Sequence, residues 1–218
     1  MPPAIMKVMG IEPGQDLTSI GVFYSIFFLY FLLLMTVHSA MLGVSVIAWE
    51  ERNKTADFLF ARPIRRSQAI TAKLLAALTY VVAYNLVTFA TSALLVAQYN
   101  TSGVPLTRPI FTLTSCLLVI QVLYLALGVL LGSLAPTADK ASGLATALIL
   151  GTFLLKALID LKEELDVLTV LSPYRYFKAY DLMIGKSVTC FYIVLALSVS
   201  LAAIAFSYRR YQLRDLHG

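Results

Sequence analysis

The stretch Leu17–Trp49, LTSIGVFYSIFFLYFLLLMTVHSAMLGVSVIAW, runs for 33 residues without an Asp, Glu, Lys or Arg. As a helix it measures about 50 Å, whereas the hydrocarbon core of a bilayer is about 30 Å thick. It therefore spans the membrane and must tilt, protrude or begin late, near Gly21. Four further charge-free stretches follow: Leu74 to Thr107, Pro109 to Ala138, Ala141 to Leu155 and Ser187 to Tyr208. The fourth is short, but Lys156 can snorkel, which lets that span continue to Ile159. The spans are placed at 21–49, 74–98, 110–136, 141–159 and 187–208, within a single transmembrane domain over 1–218.

The whole composition agrees. Of 218 residues, 59% are apolar and 13% charged, against about 45–50% and about 25% in soluble domains. Soluble globular enzymes, disordered chains and coiled coils are excluded, and an all-α polytopic transmembrane helix bundle is expected. Met1 to Asp16 has no basic region leading into a short apolar run, so no secretory signal peptide is read. Cys116 and Cys190 lie in apolar stretches and are read as packing residues, with pairing left open.

Charge sets the orientation. The loop Glu50 to Lys73, the pair Asp139-Lys140 and the tail after Tyr208 hold ten of the 17 Lys and Arg and five of the 12 acids, so one face carries +5 and the other zero. Cytoplasmic loops are the basic ones, which places this face inside, the N-terminus outside and the C-terminus in the cytoplasm. The net charge of +5 then needs no nucleic acid as partner. On the outer side, residues 160–186 begin with a highly charged run, break at Ser172-Pro173 and continue with Tyr174, Tyr176, Phe177 and Tyr180. Such aromatic density predicts a surface-lying or half-inserted interfacial helix.

Catalytic signatures are missing from the sequence. No G-x-x-x-x-G-K-[ST], H-E-x-x-H or G-x-S-x-G occurs, so no catalytic, cofactor-binding or metal residue is assigned and any ATP hydrolysis belongs to another subunit. His38 in the first span and His217 in the tail are the only histidines. His38 is read either as a hydrogen-bonded packing residue or as part of a path. In the second span Asn85, Thr88 and Ser92 share a helix face, and Gln121 is a similar residue in the third. These five are the candidate pathway residues, although the polar side chains could equally satisfy neighbouring carbonyls. Gly128 and Gly132 form a G-x-x-x-G pair, and Gly143, Ala147 and Gly151 continue a stripe of small residues, suited to packing within the chain or to a dimer seam.

The most informative stretch is the basic loop, Trp49-Glu50-Glu51-Arg52-Asn53-Lys54-Thr55-Ala56-Asp57-Phe58-Leu59-Phe60-Ala61-Arg62-Pro63-Ile64-Arg65-Arg66-Ser67. Thr55 and Asp57 can start a short helix presenting Phe58, Leu59 and Phe60 as an apolar knob. Pro63 ends that helix, and Ser67 can cap the next one. This order resembles the type-2 ABC transporter permease family, whose members carry E-x-G-T-x-[DE]-F-L-L-x-[RT]-P-x-[SR]-R followed by a Lys. Glu50 or Glu51, Thr55, Asp57, Phe58, Leu59, Arg62, Pro63, Arg66 and Lys73 match, while Lys54 replaces the common Gly. The segment Gly128 to Gly143 and the run Leu171-Ser172-Pro173-Tyr174-Arg175-Tyr176-Phe177 are similar to later segments of the family.

The resemblance implies a non-enzymatic permease subunit in a prokaryotic plasma (inner) membrane, paired with a second copy or a sister permease. It would dock two cytoplasmic P-loop ATPases through a coupling helix made by Glu50, Glu51, Asp57, Phe58, Leu59, Phe60, Arg62, Pro63 and Arg66. Family members usually have six spans; Met1 to Lys7 resembles the outer loop after the first, so the first span is missing here, either through a truncated start or because this is a five-span variant. Two other readings stay open: a non-transporting scaffold that recruits a cytoplasmic factor through the same loop, and an intramembrane enzyme acting on lipid, for which His38 alone offers a base.

Overall fold

The computed structural model describes residues 19–53, 66–100, 103 and 105–213. Five long helices, α1 (Ile20–Asn53), α2 (Arg66–Tyr99), α3 (Thr107–Leu134), α4 (Ala138–Leu161) and, after a short α5 (Ala179–Met183), α6 (Cys190–Leu213), make an all-α bundle with no strand among the described residues. All five long helices are long and apolar enough to cross a membrane. In hydrocarbon every backbone N–H and C=O must be satisfied internally, and helices do so locally.

Helix ends follow local chemistry. Pro109 sits in the first turn of α3, where its missing N–H costs nothing. Thr137 caps α4 by accepting from the Lys140 N–H, and Asp139 in the first turn complements the helix dipole. Gly185, at φ 87°, closes α5 in a conformation that other residues rarely adopt. α2 already begins at Arg66, so Ser67 lies inside it and not at its cap, and its first turns extend beyond the charge-free stretch.

The helices alternate in direction. Asn53, Arg66, the α3–α4 turn and the C-terminal end of α6 lie at one end, called here the loop end. Ile20, the α2–α3 connection and residues 162–189 lie at the other, the distal end. α3 is the central helix: 61% of its most apolar window is buried, against 28% in α2 and 22% in each of α4 and α6, which turn most of their surface to lipid.

α1 packs on α3 backbone to backbone. A Cβ placed on Gly43 would stand 2.2 Å from the Leu125 carbonyl oxygen, and one on Gly128 would stand 2.2 Å from that of Ala40. Gly132 is nearly as close, 3.2 Å from the Val44 oxygen and Ile47 Cβ. Small residues permit this approach, which dispersion rewards in a solvent as apolar as the side chains themselves. Gly143 and Gly151 differ: nothing lies within 4 Å of a Cβ at either, so both face away from the rest of the chain.

Residues 162–189 form no single interfacial helix. Two 3₁₀ segments, Glu163–Leu171 and Pro173–Arg175, precede α5, and the second is driven into the bundle. Ser172 donates through its hydroxyl to the Thr152 carbonyl at 2.9 Å, and Pro173 holds the turn. The Tyr174 hydroxyl then meets Thr36, at the midpoint of α1, at 2.6 Å. Its ring lies 5.5 Å from Tyr124 and edge-on to Phe153, and Tyr124 bonds Thr152 at 2.7 Å. Tyr174, Tyr176, Phe177, Leu182 and Met183 thus belong to the main core. Sequence alone suggests a half-inserted element; the insertion is deeper because the aromatic hydroxyls find hydroxyl partners within the bundle.

The α1–α3 contact makes a contrast measurable by thermal unfolding in detergent. Gly128→Ala and Gly43→Ala force backbone apart and should destabilise by about 1–3 kcal/mol. Gly143→Ala and Gly151→Ala should be neutral or stabilise by up to about 1 kcal/mol through helix propensity.

Candidate functional site

The polar residues fall into three levels along the bundle. At the loop end, Glu50 and Glu51 fall in the last turn of α1 and Arg66 opens α2. Asp57, Phe58, Leu59, Phe60, Arg62 and Pro63, and with them the expected coupling helix, lie outside the described residues. What the structure does define is the mounting of that loop. Lys73 donates to the Val46 carbonyl at 3.0 Å, tying α2 to the last part of α1. Thr71 and Tyr208 share a hydroxyl hydrogen bond of 2.8 Å, tying α2 to α6. Tyr211, Ile70, Val46 and Ile47 close an apolar cluster around these ties. The three helices nearest the loop therefore form one clamped unit.

At mid-bundle, Asn85 and Gln121 meet. Asn85 Nδ2 donates to Gln121 Oε1 at 2.8 Å and to the Thr114 carbonyl at 3.1 Å, and Gln121 Nε2 reaches Met35 Sδ at 3.5 Å. Gln121 is fully buried and Asn85 nearly so. α1, α2 and α3 are joined through one polar chain in a medium where an unpaired amide is costly. Thr88 and Ser92 lie buried on the same face of α2, and Thr88 returns its hydroxyl to the Tyr84 carbonyl. His38 is elsewhere: it is exposed on the surface of the chain, edge-on to the half-exposed Tyr84 with ring centroids 5.1 Å apart. Four of the five candidate pathway residues are therefore interior neighbours, and the fifth faces outward.

At the distal end, charges converge that the sequence scatters over three elements. Lys156, largely buried, pairs with Asp160 at 2.8 Å one turn along α4, and Asp160 pairs with Arg175 at 3.2 Å. Arg175 also binds Asp166 and lies near Thr169. The network pins the 3₁₀ segment to the end of α4, beside the buried Tyr174 and Tyr176, whose phenols burial pushes above their ordinary range. Both cysteines are free; Cys116 is buried and Cys190 is exposed at the start of α6. No cluster of metal-binding side chains occurs among the described residues.

Sequence reading missed Gly43, Thr36 and the Asp160–Arg175 pair. Ala40 and Gly43 are small residues facing Gly128, and Lys156 and Asp160 stand four apart; both signals are visible once the helices are laid side by side.

Five membrane-length helices, a buried polar chain and an interior filled by side chains define a polytopic integral membrane protein. Residues 5–216 match the family described as ABC-2 family transporter protein, and the chain belongs to that family. No curated protein matches the sequence.

The Asn85–Gln121 bond is open to a double-mutant cycle. Asn85→Leu and Gln121→Leu should each lower stability by about 1 kcal/mol, and the double variant should cost less than their sum, since no amide is then left unpaired. Additive losses would show that the two do not act together.

Proposed function

We propose that this chain is the membrane-spanning permease subunit of an ATP-driven transporter, moving in response to separate cytoplasmic ATPase subunits and itself catalysing nothing. Family membership supports the transport role. The observation that carries the coupling is the clamp at the loop end. A push on the loop between Asn53 and Arg66 reaches α2, and through Lys73–Val46 and Thr71–Tyr208 it reaches α1 and α6 together. With α1 measuring about 51 Å, its 34 residues carry that displacement across the bilayer. In this reading Phe58, Leu59 and Phe60 seat in the ATPase, Arg62 and Arg66 meet its acids, and Glu50, Glu51, Asp57 and Pro63 complete the interface.

The subunit works as one of a pair. Gly128 and Gly132 are spent on the α1–α3 contact, but Gly143, Ala147 and Gly151 leave an open small-residue face on α4 that accepts a second copy. Asn85, Thr88, Ser92 and Gln121 fill the interior of the single chain, whereas His38, edge-on to Tyr84, is exposed on its surface and is the candidate left to line a path between two copies. The loop end is cytoplasmic, by the excess of Lys and Arg there, and the membrane is the prokaryotic plasma membrane.

The test replaces Phe58 and Leu59 by Asp in the full chain and follows co-purification with the ATPase and stimulation of its hydrolysis. Both should fall by at least about tenfold, the loss expected when a buried apolar anchor becomes charged. Unchanged association and stimulation would refute the coupling role, and association that persists in every nucleotide state without transport would favour a scaffold.

A further inference from the structure

At the distal end the 3₁₀ segment and the start of α6 leave a cleft of about 730 Å³ between them. That is the size of a site for a small ligand. One wall is the stacked pair Tyr176 and Tyr192, centroids 4.8 Å apart and 18° from parallel. Tyr176 donates to the Val170 carbonyl, which fixes the ring.

The remaining lining carries charges of both signs. Arg175 is paired with Asp166 and Lys186 with Asp181, each within the lining. The Lys178 side chain is exposed and has no ion pair or hydrogen bond among the described residues. The cleft thus holds an excess cation beside two neutralised pairs that still offer donors and acceptors.

Its lip continues onto α6, a helix long and apolar enough to cross a membrane. Phe191 touches Tyr192, with ring centroids 5.4 Å apart. From Phe191 an exposed apolar stripe, Val194, Leu197 and Leu201, runs along one face of α6 at helical spacing. A polar cleft with an uncompensated positive charge, opening at the membrane boundary onto an apolar helix face, is complementary to an amphiphile with an anionic head.

We propose that this cleft binds the headgroup of a membrane phospholipid. Lys178 takes the phosphate diester, the Lys186–Asp181 and Arg175–Asp166 pairs hydrogen-bond the rest of the head, and the acyl chains lie along Phe191, Val194, Leu197 and Leu201. Free phosphate shares the charge chemistry, but it has only an exposed lysine to hold it, whereas the lipid is already concentrated at this depth and keeps its tails in hydrocarbon. The site depends on the fold and on membrane insertion, and stands whether or not the loop engages an ATPase.

The experiment uses the full chain, delipidated in detergent, titrated with phosphatidylglycerol and followed by native mass spectrometry. Lys178→Glu should weaken binding by about tenfold, the loss of one charge-assisted contact. Ser187→Trp, which fills the cleft from its lining, should weaken it comparably, and Lys140→Glu at the loop end should leave it unchanged. Glycerophosphoglycerol and inorganic phosphate, as competitors, should displace little lipid. Wild-type binding by Lys178→Glu and Ser187→Trp, each confirmed folded by circular dichroism, would overturn the proposal. Displacement by inorganic phosphate as effective as by lipid would overturn the lipid in favour of a free anion.

Discussion

The bundle is organised by the place where α1 and α3 touch through their backbones. Gly43 and Gly128 leave no room there for a side chain, and in a lipid solvent such close approach replaces the water-driven attraction that holds soluble helices together. Everything else is registered against that contact. It sets Met35 beside Gln121, so that α2 can join through Asn85. It also presents Thr36 and Tyr124 toward the opening that the re-entrant Tyr174 fills. A shift of α1 along α3 would break all of these at once.

Polar residues inside the membrane are used in two ways. Asn85 with Gln121, and Thr36 with Tyr174, are joined in pairs across helices, and each pair costs little once both members are satisfied. Such bonds specify which helices are neighbours more than they add stability. The residues on the outward surface, His38 with Tyr84 above all, have no such enclosure. A polar ring at the middle of a long apolar helix is costly where lipid alone surrounds it. Movement of the interior pairs would require the central helix to give way; movement at the outward face would not.

The spans were legible in the sequence because lipid imposes a length and an absence of charge that few other environments impose. The family was legible through the residue order of the basic loop and of the Ser172–Phe177 run. Which polar residues meet was not, because Asn85 and Gln121 lie on different helices and their separation depends on packing set by Gly43, a residue that no pattern singled out. His38 was ambiguous for the same reason: a lone imidazole in an apolar stretch says that it needs surroundings other than lipid, but not on which side it finds them. The depth of Tyr174 followed from Thr36 and Thr152, small hydroxyl residues that in sequence look like ordinary members of a helix, with their own i−4 carbonyls as partners. Aromatic density alone predicts no more than a surface-lying or half-inserted run.

The proposed function needs the basic loop in the cytoplasm and the distal cleft on the opposite side of the membrane. Its most direct test is the sidedness of single cysteines, introduced at Arg62 and at Lys178 after Cys116 and the exposed Cys190 are replaced. In intact cells a membrane-impermeant maleimide should label the cysteine at 178, and should reach the one at 62 only after the membrane is permeabilised. Labelling of position 62 from outside, with position 178 protected, would invert the bundle and contradict the coupling of this chain to a cytoplasmic ATPase.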